Sequence, residues 1–379
     1  MIQFNPFEQS LQLFFTVKLC WFVSCGQTGE MVCLYVCMKT CIQIIFAWVL
    51  LSATVAVAQE RLSPAPEGTF TYAVFSDTHR YAGGEDDRPL TNAPLFSQVM
   101  WLASNIESQR IAFVSHAGDL VNRNTTAHYK LAQDLFARFH GHVPYGIAPG
   151  NHDMTDTRDM THFRRFFGTA RFETFAWYGG SCRDNANSWQ TFSADGLDFV
   201  VLHLECNAPD EALAWADGVL EQNRLRMAIV VTHMYLGPIA GRDKPGTEEQ
   251  AFGRMRWEKI GGGNTPEQMW EKCFSKHENV FLIVSGDQAG SIALRQESRG
   301  VNGNVVHEVM ANYPVKADRE DWLRLYRFDP SAQVIHVFTY SPSQNRVCTG
   351  IWYLLGRAPH TFDLDISDAV GRFWGRNKK

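Results

Sequence analysis

The sequence predicts an α/β fold in which two β-sheets face each other with helices outside. Three observations lead there. From Phe70 to Ala148, apolar β-like runs alternate with helical patterns in the order β-α-β-α-β, which implies parallel strands covered by helices. Beyond Gly290 the texture changes to short β segments separated by turn residues. Five polar clusters, Asp77-Thr78-His79, Gly118-Asp119, Gly150-Asn151-His152-Asp153, Thr232-His233 and Gly286-Asp287, each arrive where a strand should end. Polar side chains at strand C-termini converge on one edge of a sheet, which suits a shared metal site.

The elements follow in order. Residues 59–68 are polar and carry Ser63-Pro64-Ala65-Pro66, so they read as a linker. Strand 70–76 comes next, then a helix over 94–110 with Phe96, Val99, Met100, Ala103 and Ile106 at helical spacing. Strand 111–115, helix 125–139 and strand 143–148 complete the first alternation. The aromatics between Phe163 and Tyr178 are read as core in preference to the wall of a pocket. Segments 189–192 and 197–204 pair as a hairpin, because Asp195-Gly196 suits a tight turn. Helix 209–222 leads to strand 227–232, and residues 235–265 form a Gly-rich loop too long for a passive connector. A helix over 265–276 opens with Thr265-Pro266-Glu267 as cap and first turn. The β segments 291–295, 304–311, 322–328, 334–340 and 361–365 are expected to build a largely antiparallel sheet.

Composition narrows the class. The chain has 379 residues, 45% of them hydrophobic, and a formal net charge of −5. That is ample for one large or two modest domains. The negative balance argues against coating nucleic acid, and no nucleic-acid partner is expected.

The first 58 residues stand apart, with Glu8, Lys18, Glu30 and Lys39 as their only charged side chains. Met38-Lys39 opens a second unit, an apolar run extends from Cys41 to Val55, and Ala56-Val57-Ala58 precedes Gln59. A basic start, a short apolar stretch and an A-x-A site make a secretory signal peptide. The expected organisation is an over-extended gene start over 1–37, a signal peptide over 38–58, the linker over 59–68, the main folded domain over 69–367 and a C-terminal tail over 368–379. A secreted or periplasmic protein is expected. No stable membrane anchor is expected after cleavage, because a span needs about 20 apolar residues. Cys182, Cys206, Cys273 and Cys348 lie beyond the leader. Their spacing matches no zinc motif, and both disulfides and buried thiols stay open.

The clusters suit a metal site. Asp77 and His79 are two apart, so on a continuing strand both leave one face. Gly118 permits a sharp turn and keeps a Cβ away from Asp119. A carboxylate has two oxygens and can bridge two cations; Asn151 offers an amide oxygen and His233 a nitrogen. Two cations about 3.5–4 Å apart clamp a phosphate and make water nucleophilic near neutral pH. His116 could support the site, and Asp153 could orient the loop after His152. His203, in mid-strand, reads as a satisfied core histidine.

With these residues in view, the sequence resembles the calcineurin-like metallophosphoesterases. D-T-H at 77–79, G-D-L-V-N-R at 118–123, G-N-H-D at 150–153 and V-T-H at 231–233 look like successive motifs of that family, over about residues 70–340. The later part, through Thr339-Tyr340-Ser341-Pro342, is similar to a secreted or periplasmic branch. The resemblance implies a four-layer αββα sandwich of two mixed β-sheets flanked by helices. It implies a phosphoric ester hydrolase (EC 3.1 class) that cleaves a phosphate mono- or diester by in-line attack of a hydroxide bridging two divalent metal ions. Asp77 and His79 would hold one ion, Asp119 would bridge, and Asn151 and His233 would hold the other. His152 would protonate the leaving group or bind phosphate, and Arg123 would contact phosphate oxygens.

Two departures bear on this. The family's last motif is usually Gly-His-x-His, whereas this chain has Gly286-Asp287-Gln288-Ala289. Asp287 can ligate through oxygen and Ala289 cannot ligate. The more oxygen-rich set favours manganese or iron, with zinc as the alternative. Asn122 stands where many relatives carry an Asp that orients the histidine matching His152. A neutral amide is expected to hydrogen-bond that ring while raising its basicity less. Position 122 is not Tyr either, which disfavours the purple acid phosphatase branch. Arg242, Lys244 and Arg254 are candidates for recognising a second anionic group, against the plainer reading of solvated loop charges. The expected partner is a small phosphate ester. The competing function is an impaired binding or structural protein on the same scaffold, motivated by the altered last motif. A nuclease would want a basic, aromatic-lined groove, which the acidic balance does not support.

Overall fold

The computed structural model describes residues 62–80, 93–241, 251–288, 293–313, 321–348 and 360–374. The chain divides between Gln59 and Glu60, and all of these residues fall in the second unit. The expected gene start and signal peptide, Arg242, Lys244 and Ala289 lie outside the described residues.

β1 (Phe70–Phe75) leads through α1 (Ala93–Ser104) to β2 (Ile111–His116), and α2 (Thr126–Phe136) leads on to β3 (Tyr145–Ile147). α3 (Thr161–Phe167), β4 (Tyr178–Cys182), β5 (Asn187–Ala194), β6 (Leu197–His203), α4 (Asp210–Gln222) and β7 (Met227–Val231) follow. Next come the short β8 (Leu236–Pro238) and β9 (Phe252–Arg254), α5 (Pro266–Lys272), β10 (Val280–Ser285), β11 (Ala293–Arg299) and β12 (Val305–Ala311). The series closes with β13 (Leu323–Asp329), β14 (Val334–Ser341), β15 (Arg346–Val347), β16 (Phe362–Asp365) and α6 (Ser367–Phe373).

Apart from β8 and β9, which pair with each other, these strands form two mixed sheets. One runs β15-β14-β13-β1-β2-β3, with β16 also on β14; the other runs β11-β12-β10-β7-β6-β5-β4. β1, β2 and β3 are parallel, as are β6, β7, β10 and β12. The later strands therefore do not build an antiparallel sheet of their own, contrary to the sequence reading. β11 and β12 extend the second sheet, β12 parallel to β10, while β13 to β16 extend the first. Alternation within a strand shows which face is buried but not which partner it meets.

Side-chain alternation sorts the core into three layers. Phe70, Tyr72 and Val74 of β1 meet Phe199 and Val201 of β6 and Ile229 and Val231 of β7 between the sheets. Ala73 and Phe75 of β1 pack with Leu95, Val99 and Leu102 of α1 and Phe136 of α2 on one outer face. Val200 and Leu202 of β6 pack with Leu213, Ala216 and Leu220 of α4 and Trp270 of α5 on the other. The result is the expected four-layer αββα sandwich.

Local chemistry explains most boundaries. Thr125 caps α2 by accepting the His128 N–H, and Thr265 with Gln268 makes a capping box for α5. Asp195 (φ 44°) and Gly196 (φ 82°) both take the left-handed conformation that a two-residue hairpin turn requires. Phe163, Phe166, Phe167 and Phe172 are core, as their density implied. Three expectations change. The 235–265 loop contains the β8–β9 hairpin. The linker is tied down where Ala65 N–H donates to Ser108 O at 2.8 Å and Gln109 Nε2 to Ser63 O at 3.1 Å. The start of the supposed tail is α6, whose Ala369, Val370 and Phe373 join the inter-sheet core. Of the two readings left open for the cysteines, Cys182, Cys206 and Cys273 take that of free thiols, the last two buried.

Candidate metal centre

The parallel strands of both sheets end at one edge, and the five polar clusters lie there. Asp77, Asp119 and Asp287, past the ends of β1, β2 and β10, have φ of 55°, 55° and 75°. Aspartate is among the few residues that tolerate this left-handed region. Main-chain bonds stitch the edge together: Asp77 N–H to Gly118 O at 3.0 Å, His79 N–H to Asp119 O at 2.9 Å and Gly286 N–H to His233 O at 2.8 Å.

Asp119 is the hub. Its Oδ1 lies 3.2 Å from His233 Nε2, and its Oδ2 lies 3.6 Å from His79 Nδ1 and 3.9 Å from His152 Nε2. The His152 main-chain N–H also donates to its Oδ1 at 2.9 Å. Two groups of potential ligand atoms fall within 4.8 Å of one another: Asp77, Asp119 and His233, and His79, Asp119 and His152. Asp119 belongs to both. Asp287 Oδ1 lies 3.6 Å from His233 Nε2.

Two glycines make this approach feasible. A Cβ on Gly118, whose φ is +95°, would lie 2.5 Å from the His233 ring. A Cβ on Gly150 would lie 2.1 Å from Asp119 N and 2.3 Å from its Oδ1. Any side chain at either position would displace the centre.

Hydrogen bonds fix the ring orientations. His233 Nδ1 donates to Ala117 O at 2.8 Å, which turns Nε2 towards the carboxylates. Burial alone would lower this imidazole; Asp119, then Asp77 and Asp287, outweigh it and push it up to about 10. Burial also pushes Asp77 up, to about 7, His233 pulling it back and Asp119 adding to the rise. For Asp119, burial is overcome by His233, His79 and His152, and the carboxyl is held well below its usual range. The carboxylates thus call for positive charge at His233 Nε2, which a proton or a divalent cation supplies. His233 Nε2 faces Asp119 Oδ1 at 3.2 Å, and the buried Oδ1 of Asn151 has no hydrogen-bond partner. An orphaned buried acceptor beside clustered carboxylates fits a cation ligand.

Two supports complete the edge. Asp153 accepts from the N–H groups of Leu120 (3.0 Å), Val121 (3.1 Å) and Gly150 (2.8 Å), tying the loop after β3 to the loop after β2. His116 accepts from Gly118 N–H at 3.1 Å through Nδ1, so Nε2 donates to Thr78 Oγ1 at 2.9 Å. Burial, reinforced by His233, lowers His116 to about 3 and keeps it neutral.

The family model for calcineurin-like phosphoesterases matches residues 70–262. The chain belongs to this family. Membership implies phosphoester hydrolysis with divalent metal ions, and the two groups around Asp119 are candidate ligand clusters. The chain is 28% identical over 296 residues to the uncharacterized protein YvnB of Bacillus subtilis (strain 168), covering 76% of itself and 21% of that protein. It therefore spans about a fifth of that relative's length. Two solved structures are also similar. The NAD nucleotidase NadN of Haemophilus influenzae shows 13% identity and a TM-score of 0.39, over 74% of this chain and 48% of that one. A 5'-nucleotidase precursor from Thermus thermophilus shows 12% identity and a TM-score of 0.39, over 79% and 54%.

Against the calcineurin-like pattern, Asp77, His79, Asp119, Asn151, His152, His233 and Asp287 all stand at the common edge. Asn122 does not act as expected. His152 Nδ1 donates to the main-chain carbonyl of Asn122 at 3.1 Å, so the residue type at 122 is not what orients the ring. Arg123 is exposed on the same loop. Arg254 does not serve an anionic substrate: its guanidinium pairs with Glu267 at 3.0 Å and Glu308 at 2.6 Å and lies over the Trp270 ring. His203 is core, its Nε2 bonded to Ser115 Oγ at 2.8 Å.

Sequence reasoning missed Lys259 and Gln288. The Lys259 ammonium pairs with Asp287 Oδ1, and Gln288 Nε2 donates to Asp287 Oδ2. A lysine in a Gly-rich loop carries no spacing signal. Gln288 fills the variable position of the altered motif, where no residue type is expected.

Proposed function

We propose that this protein is a metal-dependent phosphoesterase acting on a small phosphate mono- or diester. The observation that carries the reading is Asp119, shared by two ligand groups, beside the unpartnered Asn151 Oδ1. The two groups put Asp77 with His233 and His152 with His79. On the family pattern, Asp77, His79 and Asp119 would hold one cation, and Asp119, Asn151, His233 and Asp287 the other. The oxygen-rich donor set favours manganese or iron over zinc. When bound, the cations neutralise phosphoryl charge and lower the pKa of water.

The chain's own residues then have defined tasks. His152 is part-exposed and its ring stacks on His79 with centroids 4.6 Å apart. Its Nδ1 is held by the Asn122 carbonyl, so Nε2 is the atom that delivers a proton to the departing oxygen. Arg123, exposed after β2, would contact phosphate oxygens, a task that its planar guanidinium suits. Export of the protein is part of this proposal, supported by the apolar run from Cys41 to Val55 before Ala56-Val57-Ala58, with N-terminal sequencing of the mature chain as the check. Among the described residues, no helix is long and apolar enough to cross a membrane.

The impaired-scaffold alternative has one observation in its favour: both Asp287 oxygens are engaged by Lys259 and Gln288. An aryl phosphate monoester and a diester, assayed with added manganese, decide between them. Turnover that is lost on chelation and regained with manganese supports hydrolysis. Tight metal binding with neither ester cleaved would leave the scaffold reading.

A further inference from the structure

The Lys259–Asp287 pair is built into the fold. Asn207, fully buried with φ 48°, accepts through Oδ1 from the N–H groups of Lys259 (3.0 Å) and Ile260 (3.3 Å). Arg158 donates to Ile260 O at 3.0 Å, Gly261 O at 3.1 Å and Asn207 O at 2.7 Å, and pairs with buried Glu205 at 3.2 Å. The loop that presents Lys259 is thus clamped to the loops after β3 and β6. The lysine side chain is 24% exposed, while the Asp287 side chain it reaches is fully buried.

The charge balance gives this pair a meaning. The family pattern places a neutral imidazole where this chain has Asp287. The substitution adds one negative charge 3.6 Å from His233 Nε2, beside Asp77 and Asp119. An uncompensated third carboxylate would over-bind cations and repel a phosphate anion. The Lys259 ammonium stands against that added charge. We propose that Lys259 and Asp287 form a single charge-neutral unit that replaces the neutral imidazole. The lysine thereby sets both the cation affinity and the anion affinity of the centre. This rests on the phosphoesterase reading and names the residue that tunes that site.

The test is a double-substitution cycle read by calorimetry, with manganese alone and then inorganic phosphate added to the manganese-loaded protein. Lys259→Met should bind its weaker manganese at least about tenfold more tightly and phosphate at least about tenfold more weakly. Asp287→His should do the reverse for manganese, because it leaves the ammonium unpaired. The double variant should return both affinities to within about threefold of the starting protein, a non-additivity expected of contacting charges. Lys259→Arg keeps the charge and should stay within about threefold for manganese. Unchanged or weaker manganese binding by Lys259→Met overturns the proposal, as does an additive cycle or an arginine variant that behaves like methionine. Ester turnover alongside an additive cycle would remove this inference alone. A coupled cycle without turnover would remove the phosphoesterase reading and leave the pair as a cation-tuning device. A starting protein that binds no manganese removes both.

Discussion

The main-chain N–H of Asp287 donates to both carboxylate oxygens of Asp77 at 3.2 Å, joining the ends of β10 and β1 across 210 residues. Asp77 therefore has two tasks, accepting a hydrogen bond that closes the edge and supplying charge to the centre. Asp77→Asn separates them. The amide still accepts from Asp287, so the fold should persist by circular dichroism. Manganese affinity should fall at least about 100-fold, beyond the range seen when only a partner of a ligand is removed.

The same residue gives the metal-free protein a pH signature. Burial raises Asp77 to about 7, so its folded value lies above its unfolded one. Its contribution to stability is full below about pH 4 and is lost as pH rises through about 7. A bound cation needs the ionised form and reverses that loss. Thermal scans should show manganese raising Tm much more at pH 8 than at pH 5, and chelation should erase the difference. An equal shift at both pH values would contradict the assignment.

Gly118 tests the closeness of the sheets at the site. An alanine there meets the His233 ring at 2.5 Å and must hold φ +95°. Gly118→Ala should cost at least about 2 kcal/mol in denaturant unfolding, combining strain with overpacking. It should also weaken metal binding by moving His233.

His152 is expected to act as a proton donor. His152→Ala should slow hydrolysis of alkyl phosphates by about 100- to 10,000-fold, the usual range for a lost general acid. Aryl esters with acidic leaving groups need no proton and should suffer far less. Equal loss for both ester types, measured as kcat, would assign the ring to phosphate binding instead. Because the ring is oriented by the Asn122 carbonyl, Asn122→Ala should leave this leaving-group dependence intact.

His203 carries a stability prediction remote from the chemistry. It is fully buried, and burial lowers it to about 3. Its folded value lies below the unfolded one, so its share of stability is present above about pH 6.5 and lost as pH falls towards about 3. His203→Gln should flatten the acid limb of the unfolding curve by up to about 1.4 kcal/mol per pH unit.

Strand ends and their polar residues were legible because both are local: an apolar run, then glycine and a charged or amide side chain. So were the hairpin at Asp195-Gly196 and the cap at Thr265, whose backbone demands restrict the residue types allowed. The match of four motifs to one family then named the chemistry. Less was visible where contact partners are far apart in sequence. The distribution of β11 to β16 over two sheets depends on which edges are free, and no alternation pattern records that. The hold on His152 comes from a main-chain carbonyl, which every residue type carries alike. Lys259 reaches Asp287 from a loop that Asn207 and Arg158 hold by hydrogen bonds. The amino-acid order thus prescribed the polar residue types at the strand ends and the layer architecture, through short-range backbone preferences and burial periodicity. Packing alone settled which charges meet, because electrostatic pairing acts through space and leaves no period in the chain.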